Sequence, residues 1–164
     1  MNNSSNEGQI LVNALMQNEN LLSKLYAKYA NNFAIENEFW AHISHDETDH
    51  ASWLHSLTQK INQGWVHMAG DRFKLEAIEY FADYIKTQIS TAEQTELSLI
   101  QALSVSMDME NSMLENGTFK VYETDSTELK DVLNKLQKST DLDIFNVVWY
   151  NKIDGYDKLV CEVN

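Results

Sequence analysis

The stretch FWAHISHDETDHASWLHSLTQKI, which runs from Phe39 to Ile61, decides the fold of this chain. Its apolar side chains recur at steps of three and four residues, as on the buried face of an α-helix: Phe39, Ile43, Leu54, Leu57 and Ile61. Glu47 and His50 fall on the same face. Because burying an unpaired charge is costly, the pattern predicts a compensating group inside the fold, and a metal ion is the commonest such group.

Composition restricts the class of protein and the kind of site. The length of 164 residues suits one domain, and the formal net charge of -13 argues against nucleic acid or a membrane surface as a partner. No run is long and apolar enough to span a membrane, and the polar start MNNSSNEGQ lacks the features of a secretory signal, so we expect a cytoplasmic protein. Cys161 is the only cysteine, so any metal must be held by oxygen and nitrogen.

The rest of the sequence predicts an all-α fold. Prolines are absent and glycines number five, which leaves long helices uninterrupted. Apolar periodicity and capping signals predict four long helices: Gln9 to about Asn31, Glu36 to Asn62, Ser90 to Asn116 with a Ser90–Glu93 capping box, and from Asp125 to about Tyr150. A shorter helix from Asp71 to Ile89 is interpreted as a crossover between the second and third. We therefore expect a four-helix bundle over residues 9–153, between a disordered N-terminus (1–8) and a C-terminal tail (154–164).

Two other predicted helices also carry a lone carboxylate on their apolar stripe. Glu19 interrupts the stripe of the first helix, and Glu110 interrupts that of the third. With Glu47 and His50 they supply three carboxylates and one imidazole, a set that suits Fe or Mn and, less specifically, Zn. A simpler alternative stays open, in which the carboxylates are protonated or hydrogen-bonded in a polar core.

These patterns bear a resemblance to a known family. The segments LMQNENLLSKLYAKYANNF and FWAHISHDETDHASWLHSL resemble the rubrerythrin-like branch of the ferritin-like superfamily, and ALSVSMDMENSMLENGTF followed by TELKDVLNKLQKSTD resembles its second half. The similarity extends from about Ile10 to Tyr150. Such proteins are four-helix bundles whose dimetal site takes Glu from the first and third helices and Glu-x-x-His from the second and fourth.

The resemblance implies a set of ligands and shows one departure from the family pattern. Four ligands are implied: Glu19, Glu47 as a bridging carboxylate, His50 and Glu110. In the fourth helix this chain has Thr140 and Asp143 where the family has Glu and His. Asp143 could still ligate a metal, whereas Thr140 could at best hydrogen-bond a ligand or a water. One half-site, made by Glu19, Glu47 and His50, is therefore complete, and the other retains only Glu110 and Asp143.

The main hypothesis is a metal-binding protein with one well-held Fe or Mn ion, Zn being an alternative, and a second ion that is weakly held or absent. Any oxidoreductase activity would be slow or would need an external electron donor, because the cysteine-ligated rubredoxin-like module of full rubrerythrins is missing. Two alternatives stay open. One is a non-catalytic helical scaffold, dimeric through its aromatic side chains, whose metal site has decayed. The other is a diiron oxidase or peroxidase that uses Asp143 as a substitute ligand.

Overall fold

The computed structural model describes residues 3–62, 67–68, 75–115 and 122–123, together with six residues between positions 130 and 139. These residues form four α-helices and two short strands: α1 (Asn3–Asn32), α2 (Asn37–Asn62), β1 (His67–Met68), α3 (Leu75–Gln94), α4 (Leu99–Glu115) and β2 (Tyr122–Glu123). The two strands pair antiparallel. The six residues between 130 and 139 are also helical and fall within the predicted fourth long helix. The predicted all-α class is confirmed for the described part of the chain.

Helices α1 and α2 form an antiparallel pair joined by a short turn. The Asn37 side-chain amide donates to the Ala30 carbonyl at 2.8 Å near the turn, and the Ser44 hydroxyl donates to the Ser23 carbonyl at 2.8 Å farther from it. Contacts thus move back along α1 as they move forward along α2. Because the apolar stripes of both helices face each other in this pairing, polar residues on those stripes are carried into the core.

Helix α3 runs parallel to α1. The Asn18 side chain donates to the Ile78 carbonyl at 3.2 Å, and the Asn32 side chain donates to the Ala92 carbonyl at 2.9 Å. Both contacts advance in the same direction along the two helices. The chain therefore returns through α3 to the end of the bundle that holds the α1–α2 turn before α4 begins.

Helix α1 begins at Asn3 rather than at Gln9. Residues 3–8, which the sequence pattern assigns to a disordered N-terminus, are therefore helical. This stretch has no proline, and Asn and Ser are favoured near helix N-termini, so its low apolar content does not prevent the helix from extending.

The boundary between α3 and α4 also differs from the prediction. Helix α3 continues through Ser90 to Gln94, so the predicted capping box at Ser90 is wrong. The box forms at Ser98, whose backbone N–H donates to Gln101 Oε1 at 2.9 Å while the Gln101 N–H donates to Ser98 Oγ at 3.3 Å. Both serines fit the same sequence signature. Burial of Ala92 in the core favours continuing α3 past the first of them.

The core consists of two apolar clusters. The one nearer the α1–α2 turn, here called the aromatic cluster, contains Leu22, Leu25, Tyr26, Tyr29, Ala30, Trp40, Ile43, Ile85, Ala92, Leu99, Ala102, Leu103 and Met109. The one at the other end, here called the aliphatic cluster, contains Leu11, Val12, Leu15, Leu54, Leu57 and Ile78. None of the helices in the described part of the chain combines the length and apolar character needed to cross a membrane.

A polar layer separates the two clusters. On α1, Glu19 lies between Leu15 of the aliphatic cluster and Leu22 of the aromatic cluster. On α2, Glu47 and His50 occupy the corresponding place, and Glu110 of α4 follows directly after a residue of the aromatic cluster. We call these four residues, Glu19, Glu47, His50 and Glu110, the polar layer.

Candidate metal centre

Three residues of the polar layer converge from α1 and α2. Glu47 and His50 lie one turn apart on the inward face of α2, and Glu19 projects from α1. Each of the three is only 1 % exposed. One ligand atom from each residue lies within 4.8 Å of those of the other two. Two carboxylates and an imidazole can therefore face a single ion.

Hydrogen bonds satisfy this group only in part. His50 Nδ1 lies 3.0 Å from Glu47 Oε2 and 3.8 Å from Glu19 Oε2. Both oxygens of Glu19 and the Oε1 atom of Glu47 have no hydrogen-bond partner among the residues that the structure describes. Leaving a buried carboxylate oxygen without a donor is costly. A cation placed among these atoms would remove that cost, so the residues present fit a metal ion.

The contacts of Glu110 differ from those of Glu19, Glu47 and His50. It is also 1 % exposed, but it does not belong to the group whose ligand atoms lie within 4.8 Å of one another. Its Oε1 atom accepts a hydrogen bond of 2.6 Å from the Tyr26 hydroxyl. The structure thus brings Glu110 next to the three-residue group and at the same time supplies it with a partner from the protein.

Burial and mutual charge perturb the acid–base behaviour of the layer. Burial raises the pKa of Glu47 well above its usual value, and the charges of Glu110 and Glu19 act in the same direction against the opposing effect of His50. Burial likewise raises the pKa of Glu110 to about 7, although the Tyr26 hydrogen bond opposes this. The apolar surroundings alone would lower the pKa of His50, but Glu19 and Glu47 outweigh them and raise it to about 11. Without metal, the layer retains protons that a bound cation would displace.

Tyr26 stays a hydrogen-bond donor over the ordinary pH range. Its burial raises the pKa of the phenol well above its usual value, and the negative charge of Glu110 adds to the effect. The phenol therefore keeps its proton, and that proton is directed at the Glu110 carboxylate.

Aromatic and cationic side chains lie beside the His50 end of the layer. The Trp53 ring centroid lies 5.4 Å from that of the His50 ring, and Lys135 Nζ lies 4.1 Å from the Trp53 centroid. Lys135 is one of the six described helical residues between 130 and 139, and its side chain thus reaches α2 close to the candidate centre. The predicted fourth-helix residues Thr140 and Asp143 lie outside the described residues.

Two polar contacts around the centre were not predicted from the sequence. Tyr26 lies on the buried face of α1, but its bond to Glu110 joins two helices far apart in the chain, and spacing along one helix cannot reveal such a partner. Asn18 is 1 % exposed and ties α1 to α3 directly beside Glu19. Its position next to the site residue was the only sequence signal available.

Comparisons of the chain with models of protein families, with curated proteins and with solved structures found no significant match. What the centre can do therefore follows from its own residues. Oxygen and nitrogen donors in this ratio suit Fe, Mn and Zn better than metals that prefer thiolate ligands.

Proposed function

We propose that this protein is a metal-binding, ferritin-like protein of the rubrerythrin type, which holds one divalent ion through Glu19, Glu47 and His50. The observation that carries the proposal is the set of three buried carboxylate oxygens, on Glu19 and Glu47, that lack hydrogen-bond partners among the described residues. Two carboxylates and a neutral imidazole would balance the charge of one divalent ion, which limits the cost of burying the charged groups. Fe or Mn is the expected metal, with Zn as the alternative.

The path of the chain supports the ferritin-like part of the proposal. An antiparallel α1–α2 pair is followed by α3, which returns parallel to α1, and then by α4, which contributes Glu110 beside the α1 and α2 ligands. We interpret α3 as the crossover helix. We interpret the helical residues around Lys135, which lie next to α2, as part of the fourth long helix of the bundle.

The residues of the chain would bind the ion, shield it and hold a proton near it. Glu19, Glu47 and His50 would ligate it, and their burial keeps bulk water away. Tyr26 and Glu110 keep a proton next to the centre. A bound Fe or Mn would supply Lewis acidity and one-electron redox chemistry, so slow oxidoreductase activity with an external electron donor belongs to the proposal.

Metal analysis of protein purified without chelator tests the proposal. We expect about one equivalent of Fe, Mn or Zn per chain, and a free metal concentration of 100 times Kd should stabilise the fold by about 2.7 kcal/mol. Glu47→Gln should weaken binding by at least about 100-fold, because it removes a charged ligand.

Glu38→Gln is the matched control for this experiment. Glu38 lies on the same helix but is exposed, so the same change of charge should leave binding unaltered. Absence of stoichiometric metal, together with no thermal stabilisation by any of the three ions, would contradict the proposal.

A second candidate function is a helical scaffold without metal. The Tyr26–Glu110 bond favours it, because the protein alone satisfies at least one oxygen of one carboxylate in the layer. Exposed apolar side chains could form its contact surface, notably Ile35, Tyr80 and Ile100, which are 92 %, 79 % and 61 % exposed. Two results together would favour the scaffold over the metal-binding protein. The chain would take up no metal on incubation with Fe, Mn and Zn, and it would sediment as a dimer.

A further inference from the structure

The three residues of the candidate centre are enclosed. Glu19, Glu47 and His50 are each 1 % exposed, so an ion cannot reach their ligand atoms unless a neighbouring side chain moves aside. In enclosed sites a movement of this kind often sets the rate at which molecules enter and leave. The rate of metal exchange therefore depends on which neighbour of the centre can move.

Trp53 connects the centre with the surface. It lies one turn after His50 on α2, and the centroids of the two rings are 5.4 Å apart. Trp53 packs against the aliphatic cluster but is only partly buried. Tyr26, which contacts Glu110, is fully buried. The Trp53 ring can therefore turn towards solvent, whereas a movement of Tyr26 would require the densely packed aromatic cluster to rearrange.

Lys135 holds the Trp53 ring in this position. Its Nζ atom lies 4.1 Å from the ring centroid, a distance at which a cation–π interaction is attractive. The lysine is exposed and belongs to the described helical residues between 130 and 139, so the contact joins α2 to a part of the chain far away in sequence. A Trp53 ring that turned away from His50 would lose this contact.

We propose that Trp53, held by Lys135, controls the rate at which the ion enters and leaves the centre. This proposal rests on the proposed function, because it requires an ion bound by Glu19, Glu47 and His50. Turning of the Trp53 ring opens the His50 side of the centre, and the cation–π contact keeps the closed position populated. Because uptake and release use the same opening, easier opening raises both rates by one factor and leaves Kd unchanged.

Lys135→Gln tests the proposal, with Lys138→Gln as the matched control. Both changes remove one positive charge from an exposed lysine of the same described helical stretch, and Lys135 is the one whose Nζ atom lies over Trp53. The measurements are the rate of Mn²⁺ release from the loaded full chain into excess chelator and the Kd from calorimetry. Loss of an exposed cation–π contact should accelerate release about two- to fivefold without changing Kd. Lys138→Gln should release Mn²⁺ at the wild-type rate.

Two further variants show whether Lys135 acts through the Trp53 ring. Lys135→Arg keeps a cation over the ring and should retain the wild-type rate. Trp53→Leu should itself accelerate release, and adding Lys135→Gln to it should cause no further change, because the lysine then has no ring to hold. Lys135→Arg decides the same point if Trp53→Leu does not fold.

Several results would overturn the proposal. One is unchanged or slower release in Lys135→Gln, since the loss of a nearby positive charge by itself strengthens the binding of a cation. Equal acceleration in Lys138→Gln, or an undiminished effect of Lys135→Gln in the Trp53→Leu background, would also overturn it. So would a Kd that weakens by the same factor as release accelerates, because Lys135 would then stabilise the bound state. Failure of the proposed function looks different, because the wild-type chain would then bind no Mn²⁺, Fe²⁺ or Zn²⁺.

Discussion

The aromatic cluster and the polar layer are equally buried, yet burial has opposite consequences for them. Trp40, Tyr26 and Tyr29 are fully buried, and the Trp40 and Tyr29 rings meet edge to face with 4.9 Å between centroids. Burial of these large rings stabilises the fold, although the Tyr29 hydroxyl and Trp40 Nε1 have no hydrogen-bond partner among the described residues. Glu19 and Glu47 are buried almost as completely but leave carboxylate oxygens without donors among the described residues, which destabilises the metal-free fold. The apolar clusters therefore explain why the chain folds, and the proposed metal binding would account for the polar layer.

The largest change in the free energy of unfolding is expected from a substitution in the aromatic cluster. Leu22→Ala should lower the free energy of unfolding by about 2–5 kcal/mol, because Leu22 is fully buried in the aromatic cluster and its truncation leaves a cavity. Urea unfolding measures the change. Lys24→Ala, at an exposed position of the same helix, should stay within about 0.5 kcal/mol of wild type. Similar losses in both variants would show that α1 does not pack through this face.

The second prediction tests the polar layer through the pH dependence of stability. The pKa of Glu110 rises from 4.5 to about 7 on folding, so its contribution to stability is complete below pH 4.5 and is lost as the pH rises through 7, by at most about 3 kcal/mol. The pKa of His50 rises from 6.5 to about 11, which adds a loss of the same sign at higher pH. Metal-free protein should therefore unfold at a lower urea concentration at pH 8 than at pH 5.

Glu110→Gln separates the contribution of the polar layer to the pH dependence of stability from the contribution of the other acidic residues. The variant keeps an acceptor for Tyr26 but cannot ionise, so its stability should fall less between pH 5 and pH 8 than that of the wild type. If a cation binds as proposed, it would displace protons from the layer, and the stabilisation produced by added Mn²⁺ should increase over the same pH range. An equal pH dependence in variant and wild type would assign the effect to surface charge.

The difference between the two regions also explains which features could be predicted from the sequence. The faces of α1 and α2 follow from periodicity within one helix, so burial of Leu22, Glu19 and Glu47 was predictable. The Tyr26–Glu110 bond depends on how α1 and α4 pack, and no local pattern contains that information. The sequence places Glu110 among the ligands, but no local pattern shows that its Oε1 atom accepts a hydrogen bond from Tyr26.

The smallest effect concerns the start of α4, a helix that contributes to both regions through Leu103 and Glu110. Ser98→Ala removes the hydroxyl that accepts the Gln101 N–H, and loss of an N-cap costs about 1 kcal/mol. Ser90→Ala is the control, because Ser90 lies inside α3 and should change stability by less than about 0.5 kcal/mol. Urea unfolding of the two variants distinguishes the capping box seen in the structure from the one that the sequence suggested. If Ser90→Ala were the more damaging change, α4 would have to begin earlier than Leu99, and the position of Glu110 relative to Tyr26 would need revision.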